Sequence, residues 1–308
     1  MADKIATRQA YGEALVEMGA KNSDIVVLDA DLSKSTMTVN FSNAYPDRFF
    51  NIGIAEQNMY GIAAGLAISG KTVFASTFAM FAAGRAYEII RNAIGYTKAN
   101  VKICATHAGV TVGEDGASHQ AIEDMALMRV IPGMIVINPA DAVSAKKLLQ
   151  AVSEIKGPAY VRLGRAAVPV IYNDDTEIQI GKANCVREGS DVTVIATGIM
   201  VNEAIIAAEA LEKEGISLRV IDMHTIKPID EEIIVKAAKE MKGIITAEEH
   251  SVIGGLGSAV AEVLVQKYPA KVKMIGIKDI FGQSGKPAEL MEKYEITAKN
   301  IMLAAKEF

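Results

Sequence analysis

The sequence predicts an α/β protein of two domains, each a largely parallel sheet flanked by helices. The chain of 308 residues is longer than one ordinary domain, so two compact units are the starting expectation. Half of the residues are hydrophobic, which is enough to cover both faces of two sheets. Short β-branched runs also alternate with longer helical patterns along most of the chain, a pattern typical of right-handed βαβ units.

The first domain is predicted over residues 1–167. Its apolar, β-branched runs are typical of buried strands, and the segments between them have the spacing of helices. Ligands of such sheets bind at the carboxyl ends of the strands. The predicted strands are residues 25–32, 71–77, 101–109, 134–140 and 159–164, and the predicted helices are residues 8–20, the stretch around Glu56, 79–95 and 141–154.

The alternation stops after residue 165 and resumes near residue 191. Residues 168–190 contain Pro169, a turn-like Asn-Asp-Asp sequence and short alternating stretches, which predict a linker with a small hairpin. Strand-like and helical patterns then alternate again. We therefore expect a second, smaller α/β domain over residues 191–308.

Charge and composition exclude several classes of protein. The net charge is −5 and the pI is near 5.6, with no cluster of basic residues, so nucleic acid is not an expected partner. No stretch reaches the roughly 18 apolar residues of a membrane span, and the N-terminus has no apolar signal core. Two cysteines and four histidines lack metal-site spacing. We expect a soluble, cytoplasmic protein with no membrane partner and no metal site of its own.

One carboxylate, Glu56, interrupts the small and apolar stretch FNIGIAEQNMYGIAAG (50–65), where a helix is predicted to begin. A carboxylate in the first turn of a helix is stabilised by the helix dipole and can bond free N–H groups. Alternatively, the apolar surroundings disfavour the charged form and prepare the group to exchange a proton with a ligand. The neighbouring residues leave both interpretations open.

Polar side chains are concentrated at three predicted strand ends. DADLSKST (29–36), which includes Ser35, is suited to turns and a helix cap or to a ligand site. THAGVTVGEDGASHQ (106–120) combines two histidines, two acids and several glycines, which favours a functional loop. RLGR (162–165) ends in Arg165 and is suited to phosphate binding or to a solvated strand end.

Two further stretches have a structural and a functional interpretation. Phe78 and Phe81 in STFAMFAAGR are three residues apart, a spacing that is typical of core residues. GGLGS (254–258) opens a predicted helix and indicates either an anion-binding turn or tight packing of helix on strand.

Together these stretches resemble one family, the transketolases. GIAEQNMYGIAAGLAISG, STFAMF, GEDGASHQ, IPGMIVINPAD (131–141) and DMHTIKPID (222–230) are similar, in this order, to its pyrimidine-binding and C-terminal domains. The resemblance covers nearly the whole chain and is strongest between residues 25 and 141. It implies a thiamine-diphosphate pyrimidine-binding domain followed by a transketolase C-terminal-like domain.

The resemblance implies that the protein binds thiamine diphosphate. Glu56 matches the glutamate that hydrogen-bonds the aminopyrimidine ring and promotes the imino tautomer that removes the thiazolium proton. Phe78 and Phe81 match the aromatic residues that pack on the pyrimidine. Glu56 is therefore expected to be both a catalytic and a cofactor-binding residue.

The resemblance also implies a channel for sugar phosphates, between which two-carbon ketol units are transferred. His107 and His119 match histidines that line this channel and are expected to be catalytic; His119 would hydrogen-bond or move protons at the sugar carbonyl and hydroxyls. Asp115 matches an acid that contacts a sugar hydroxyl. Ser35 and Arg165 match contacts to the terminal phosphate.

Some features depart from the family pattern. Gly84 stands where many transketolases have a third aromatic residue, and the sequence His-Ala-Gly from His107 is shared with deoxyxylulose-phosphate synthases rather than with long-chain transketolases. Arg162 falls outside the close match. The chain also lacks the Gly-Asp-Gly sequence with which the family binds the diphosphate and Mg²⁺.

The absence of this Gly-Asp-Gly sequence indicates that the chain resembles the C-terminal section of a split transketolase. An N-terminal partner subunit would carry the Gly-Asp-Gly and Asn residues that bind the diphosphate and Mg²⁺, and an α₂β₂ heterotetramer is expected. Three alternatives remain: a 2-oxo acid dehydrogenase β subunit, a deoxyxylulose-phosphate synthase-like enzyme and a non-catalytic partner protein. Ser35 and Arg165 argue against the first, and the intact set from Glu56 to His119 argues against the last.

Overall fold

Strands and helices alternate along the first part of the chain. The computed structural model describes residues 3–308. Two 3₁₀ turns, Pro46–Arg48 and Val110–Val112, and two π-helical stretches, Phe81–Arg85 and Ile90–Tyr96, interrupt the regular elements. To residue 169 these elements are β1 (Lys4–Ala6), α1 (Thr7–Lys21), β2 (Ile25–Asp29), α2 (Ser33–Thr36), α3 (Val39–Ala44), β3 (Phe49–Asn51), α4 (Glu56–Ile68), β4 (Thr72–Phe78), α5 (Tyr87–Ile89), β5 (Val101–Thr106), α6 (Asp124–Arg129), β6 (Ile135–Ile137), α7 (Ala142–Glu154), β7 (Ala159–Arg162) and β8 (Ala167–Pro169).

The same alternation continues in the second part of the chain. Its helices are amphipathic or apolar and pack on a second sheet. The elements are β9 (Asn184–Arg187), β10 (Val192–Ala196), α8 (Met200–Glu212), β11 (Leu218–Asp222), β12 (Thr225–Lys227), α9 (Glu231–Glu240), β13 (Ile244–Ser251), α10 (Leu256–Lys267), β14 (Val272–Ile277), α11 (Pro287–Lys293) and α12 (Ala298–Ala305).

The first sheet has seven strands in the order β12-β6-β7-β5-β4-β2-β3. Six of them pair in parallel, and β12, from the second part of the chain, adds to β6 in the antiparallel direction. All residues of β2, β4 and β5 are buried, because helices cover both faces of the sheet. This burial explains why these strands are continuous apolar runs in the sequence.

The second sheet has five strands in the order β14-β13-β10-β11-β9. Four of them pair in parallel, and β9 is an antiparallel edge strand beside β11. The predicted fold class, two largely parallel sheets flanked by helices, is therefore confirmed.

The connection between the two sheets differs from the prediction. The small hairpin expected within residues 168–190 is wrong: β8 pairs with β1 at the start of the chain, and β9 pairs with β11 of the second sheet. The alternating pattern correctly indicated strands, but a local pattern does not specify which distant sheet edge is free to pair. The domain boundaries at residues 167 and 191 stay a prediction.

The carboxyl ends of β2, β4, β5 and β7 lie along one edge of the first sheet. Phe78 at the end of β4 is in register with Thr106 at the end of β5, and Ala105 is in register with Arg162 at the end of β7. The polar stretches that follow these strands therefore meet at this edge, where ligands of parallel sheets bind.

None of the helices within residues 3–308 is long and apolar enough to cross a bilayer. The same residues contain no group of three or more His, Cys, Asp or Glu side chains placed to hold a metal ion. Both cysteines are free thiols, Cys104 in the core and Cys185 at the surface.

Candidate active site

Glu56 is the first residue of α4, and its side chain is only 2% exposed. Its carboxylate Oε2 accepts a hydrogen bond from Arg85 Nη1 at 2.8 Å. Within residues 3–308 no backbone N–H group of α4 donates to this carboxylate. The position of Glu56 therefore does not result from capping of the helix, although the helix dipole still favours a negative charge there.

Four rings form a wall beside Glu56 at the carboxyl edge of the sheet. The Phe78 ring stacks on His107 with centroids 3.9 Å apart and on Phe81 with centroids 5.8 Å apart. His119 meets the edge of this stack, with its centroid 5.3 Å from that of Phe81. The structure therefore brings together four of the predicted site residues, which are spread over residues 78–119 of the sequence.

His107 is a buried residue with a left-handed backbone, at φ 57°. Burial, followed by the cationic Arg8 and Arg165, lowers the pKa of His107 to about 3. Its Nδ1 lies 3.0 Å from the hydroxyl of Thr106. At neutral pH the ring is therefore uncharged and can exchange hydrogen bonds with a ligand without adding a positive charge.

Arg165 and Ser35 lie near the same edge, where they meet a third residue, Arg8. Arg8 Nη1 donates to the Ser35 carbonyl at 2.7 Å, and its buried Nε has no hydrogen-bond partner within the described residues. Arg165 Nη1 donates to the Val112 carbonyl at 2.5 Å and to Glu114 at 3.2 Å. Burial, followed by the cationic Arg165, lowers the pKa of Arg8, so the two guanidinium groups lie near each other and form one positive corner that is suited to an anion.

Arg8 is a residue that the sequence did not single out. It lies in the first turn of α1, in a stretch predicted only as a helix. Nothing in its neighbours distinguishes it from a solvated arginine. Only the tertiary fold, which places the start of α1 against Ser35, indicates its position at the site.

The loop of residues 107–120, which carries His107, Asp115 and His119, is held in place by the second part of the chain. Glu249 of β13 accepts the backbone N–H of Thr111 at 2.6 Å. The Gln120 side-chain amide donates to the carbonyl of Gln283, and the Ser284 hydroxyl donates to the carbonyl of Glu114. Asp115 itself is exposed, so its side chain is accessible to a substrate.

Glu249 is another residue that the sequence did not identify. It is fully buried, and burial raises the pKa of its carboxyl group. A Cβ at Gly109 would come within 2.3 Å of the Glu249 carboxyl group, so the loop passes this carboxylate where only glycine fits. The acid residues of AEEHS (247–251) gave the only available signal, since charged residues in a buried strand are uncommon.

Arg162, three residues before Arg165, has a different environment. Its side chain is 4% exposed and its Nε pairs with Asp124 at 2.9 Å. Its Nη2 donates to the carbonyls of Ala121 and Glu249. Arg162 therefore joins α6 to the second sheet and does not line the site.

The GGLGS turn binds a carboxyl group of the same chain. Glu248 accepts the backbone N–H groups of Leu256 and Gly257, at 2.7 and 2.8 Å, at the start of α10. A Cβ at Gly255 would lie 2.0 Å from this carboxylate. The turn therefore packs tightly, and its free N–H groups bond an internal carboxyl group rather than an external ligand.

Two family models match the chain. One is described as transketolase, pyrimidine binding domain, and covers residues 3–170; the other is transketolase, C-terminal domain, and covers residues 181–301. The chain belongs to the transketolase family. The resemblance inferred from the sequence motifs is thereby confirmed.

Curated transketolase relatives are similar over nearly the whole chain. The chain is 54% identical to the "Putative transketolase C-terminal section" of Methanocaldococcus jannaschii, over 96% of this chain and 93% of that protein. It is 42% identical to an apulose-4-phosphate transketolase subunit of Phocaeicola vulgatus, over 99% of this chain and 97% of that protein. Human transketolase is 41% identical over 99% of this chain, which spans 49% of the human protein.

Solved transketolase structures share the fold. A "split gene transketolase, inactive beta4 tetramer" superposes with a TM-score of 0.93 at 56% identity, and the match covers 98% of both chains. Transketolase from Campylobacter jejuni superposes with a TM-score of 0.84 at 24% identity and covers 47% of that chain, which shows the fold alone. The chain is thus similar in sequence and structure to C-terminal sections of split transketolases.

The transketolase family implies thiamine diphosphate, and the residues at the ring wall fit its aminopyrimidine. That ring is flat, and its ring nitrogen presents an N–H to a carboxylate when it is protonated. A flat group with N–H donors, the Arg85 guanidinium, already hydrogen-bonds Glu56 while its carbon lies 4.5 Å from the Phe81 ring centroid. A planar ring at this place would therefore reach the carboxylate and stack on an aromatic face at the same time.

Proposed function

We propose that this chain is the C-terminal subunit of a thiamine-diphosphate-dependent transketolase, a transferase that moves two-carbon ketol units between sugar phosphates. The observation that carries the proposal is the meeting of Glu56, Phe78, Phe81, His107 and His119 at one sheet edge. Family membership supports transferase chemistry, and the residues supply a site for it. Such transfers belong to the pentose phosphate pathway, and a cytoplasmic location is part of the proposal.

Glu56 is proposed as the group that hydrogen-bonds the pyrimidine and exchanges a proton with its ring nitrogen. A carboxylate that is 2% exposed can share a proton with a weak base, since water does not compete for it. Phe78 and Phe81 are proposed to hold the ring by stacking. When bound, thiamine diphosphate supplies the carbon nucleophile for ketol transfer.

His107 and His119 are proposed to contact the reacting sugar. His107, with its lowered pKa, would act through hydrogen bonds as a neutral ring. His119 lies at the edge of the aromatic stack and is partly exposed, so it is placed to donate or accept a proton at a substrate carbonyl or hydroxyl. The exposed Asp115 is proposed to contact a sugar hydroxyl.

The positive corner formed by Arg165 and Arg8 beside Ser35 is proposed to bind the anionic end of the substrate. Guanidinium groups bind phosphate through parallel N–H bonds. A relative 41% identical to this chain is a 6-deoxy-6-sulfo-D-fructose transketolase subunit from Clostridium sp., whose name contains a sulfonate instead of a phosphate. Because both groups are tetrahedral oxyanions, the corner suits either, and phosphate is the substrate class that we propose.

An N-terminal partner subunit is proposed to complete the site. Residues 3–308 hold no cluster placed for a metal ion, and the sequence contains no Gly-Asp-Gly, so the Mg²⁺ and diphosphate ligands are assigned to the partner. The solved relative described as an inactive β₄ tetramer supports this assignment, since a complex of these chains alone would lack those ligands. The active form is proposed to be an α₂β₂ heterotetramer.

Reconstitution tests the proposed function directly. The purified chain should show no ketol transfer from xylulose 5-phosphate to ribose 5-phosphate, and addition of the N-terminal partner should produce this activity. The partner alone is the control. Full activity of the purified chain without the partner would refute the split-enzyme proposal.

A further inference from the structure

The Arg85 side chain contacts both Glu56 and Phe81, the two residues that we propose hold the pyrimidine ring of the cofactor. Its Nη1 lies 2.8 Å from Glu56 Oε2, and its guanidinium carbon lies 4.5 Å from the Phe81 ring centroid. Within residues 3–308 no other side chain hydrogen-bonds the Glu56 carboxylate. The guanidinium is planar and donates N–H groups, and the pyrimidine is likewise planar and presents an N–H to Glu56 when its ring nitrogen is protonated.

The backbone around Arg85 holds this side chain close to both partners. Arg85 is the last residue of the π-helical stretch that begins at Phe81, and its carbonyl accepts a hydrogen bond from the Gln57 side chain at 3.2 Å. Gln57 follows Glu56 directly in α4. The same local structure therefore fixes Arg85 beside the carboxylate and beside the ring.

From these contacts we propose that Arg85 is an internal occupant of the pyrimidine site, which the aminopyrimidine ring displaces when thiamine diphosphate binds. The inference rests on the proposed function, because it takes Glu56 and Phe81 as the pyrimidine contacts. Arg85 competes with the cofactor ring for Glu56 and Phe81 and has no contact with the substrate in this proposal. In the free chain the guanidinium keeps the buried carboxylate paired until the ring arrives, so Glu56 is never left without a partner.

The exposure of Arg85 makes such an exchange feasible. Its side chain is 49% exposed, whereas Glu56 is 2% exposed. The guanidinium side of the pair is solvated and its cation–π contact is individually weak, so Arg85 can leave at small cost once the ring gives the buried Glu56 a replacement partner.

Binding measurements on the complex of the full chain with its N-terminal partner test this inference. Titration calorimetry with thiamine diphosphate and Mg²⁺ would compare wild type, Arg85→Gln and Arg91→Gln. Arg91 is a matched control because it lies on the same segment, carries the same charge and contacts Asn92 rather than Glu56 or Phe81. Loss of the competitor should tighten binding by about threefold to tenfold in Arg85→Gln and leave Arg91→Gln unchanged.

Inorganic diphosphate with Mg²⁺ serves as the second ligand. It lacks the pyrimidine ring and binds only the diphosphate site that we propose on the partner subunit. Its dissociation constant should therefore be equal in all three complexes. A change in its affinity in Arg85→Gln alone would mean that the substitution disturbs the complex in general, and would overturn the inference. Equal or weaker binding of thiamine diphosphate to Arg85→Gln would overturn it as well.

A crystal structure of the wild-type complex with thiamine diphosphate gives a test that needs no variant. The Arg85 guanidinium should then lie beyond cation–π range of Phe81, more than about 6 Å from the ring centroid. A guanidinium that remains on Phe81 and Glu56 in the loaded complex would overturn the inference while leaving the proposed function intact. Failure of the wild-type complex to bind thiamine diphosphate would refute the proposed function itself.

Discussion

Two arginine–carboxylate pairs of this chain have nearly the same length and opposite surroundings. Arg162 and Asp124 are 2.9 Å apart, with side chains 4% and 0% exposed. Arg85 and Glu56 are 2.8 Å apart, but the arginine is 49% exposed. Distance alone therefore does not separate a pair that supports the structure from one that can be exchanged for a ligand.

The remaining hydrogen bonds of each pair make the distinction. Arg162 also donates to the carbonyls of Ala121 and Glu249, and Asp124 also accepts the hydroxyl hydrogen of Tyr160. Arg85 contacts one carboxylate and one ring face. The first arginine is surrounded by fixed partners that join two sheets, whereas the second has water on one side. The two carboxylates are equally buried, so it is the exposure of the arginine partner that distinguishes the pair that a ligand could exchange.

The largest expected effect concerns Glu56. In the reconstituted complex, Glu56→Gln should slow exchange of the thiazolium C2 proton by about 10² to 10⁴, because an amide cannot cycle a proton with the ring nitrogen. Hydrogen-exchange NMR of bound thiamine diphosphate measures this rate. Thermal unfolding is the control and should change little, since glutamine retains the volume and one acceptor oxygen. An unchanged exchange rate would return Glu56 to a purely structural role at the start of α4.

The next prediction concerns the buried pair of Arg162 and Asp124. Arg162→Met should destabilise the chain by about 3–5 kcal/mol, because it leaves the buried Asp124 carboxylate without its charged partner. The matched control is Arg85→Met, which also leaves a buried carboxylate unpaired but removes one hydrogen bond rather than three, and should cost less, about 1–3 kcal/mol. Chemical denaturation of both variants measures the difference. Equal losses would show that the two pairs are alike in energy and that the comparison is wrong.

The RLGR stretch shows how far the sequence alone could predict these differences. Periodicity and β-branched runs predicted the strand that ends there, because burial on both faces of a parallel sheet leaves a continuous apolar pattern. The sequence left the roles of Arg162 and Arg165 open, and only the resemblance separated them. Arg162 is buried partly by residues distant in sequence, such as Glu249, which lies 87 positions after it. A local sequence pattern carries no signal for such a contact.

The same limit explains the residues that were missed. The ring wall of Phe78, His107 and His119 was predicted from motifs, but Arg8 and Glu249 reach the site from a helix start and from the second sheet. The hairpin failed for this reason too, because strand pairing depends on free edges elsewhere in the fold. Local physics therefore predicted the elements, and tertiary contacts decided their partners.

Arg165 lies in a third kind of environment, because it is part of the positive corner that we propose binds the anionic end of the substrate. In the reconstituted complex, Arg165→Ala should lower kcat/KM for ribose 5-phosphate by about 10- to 150-fold, the contribution of one charge-assisted hydrogen bond. Glycolaldehyde, an acceptor without phosphate, should lose almost nothing. Equal losses with both acceptors would mean that Arg165 supports the loop through Val112 rather than the substrate. No loss with either would exclude it from the anion site.

The smallest expected effect is the pH dependence that His107 gives to the stability of the chain. Burial and the nearby Arg8 and Arg165 lower the pKa of His107 to about 3, below its ordinary value near 6.5. Between these values the unfolded chain binds a proton that the folded chain does not, so His107 makes the folded state less stable as the pH falls below 6.5.

His107→Asn removes this titration and retains a polar side chain of similar size. The free energy of unfolding of wild type minus that of the variant should fall by up to about 1.4 kcal/mol per pH unit between pH 6.5 and 5, and should be constant above pH 7.5. Denaturant titrations across this range measure the difference. A flat difference would mean that His107 accepts a proton in the folded state as readily as in the unfolded one. The two arginines would then leave the charge of the ring unaffected, and the proposal that His107 contacts substrate as a neutral group would fail.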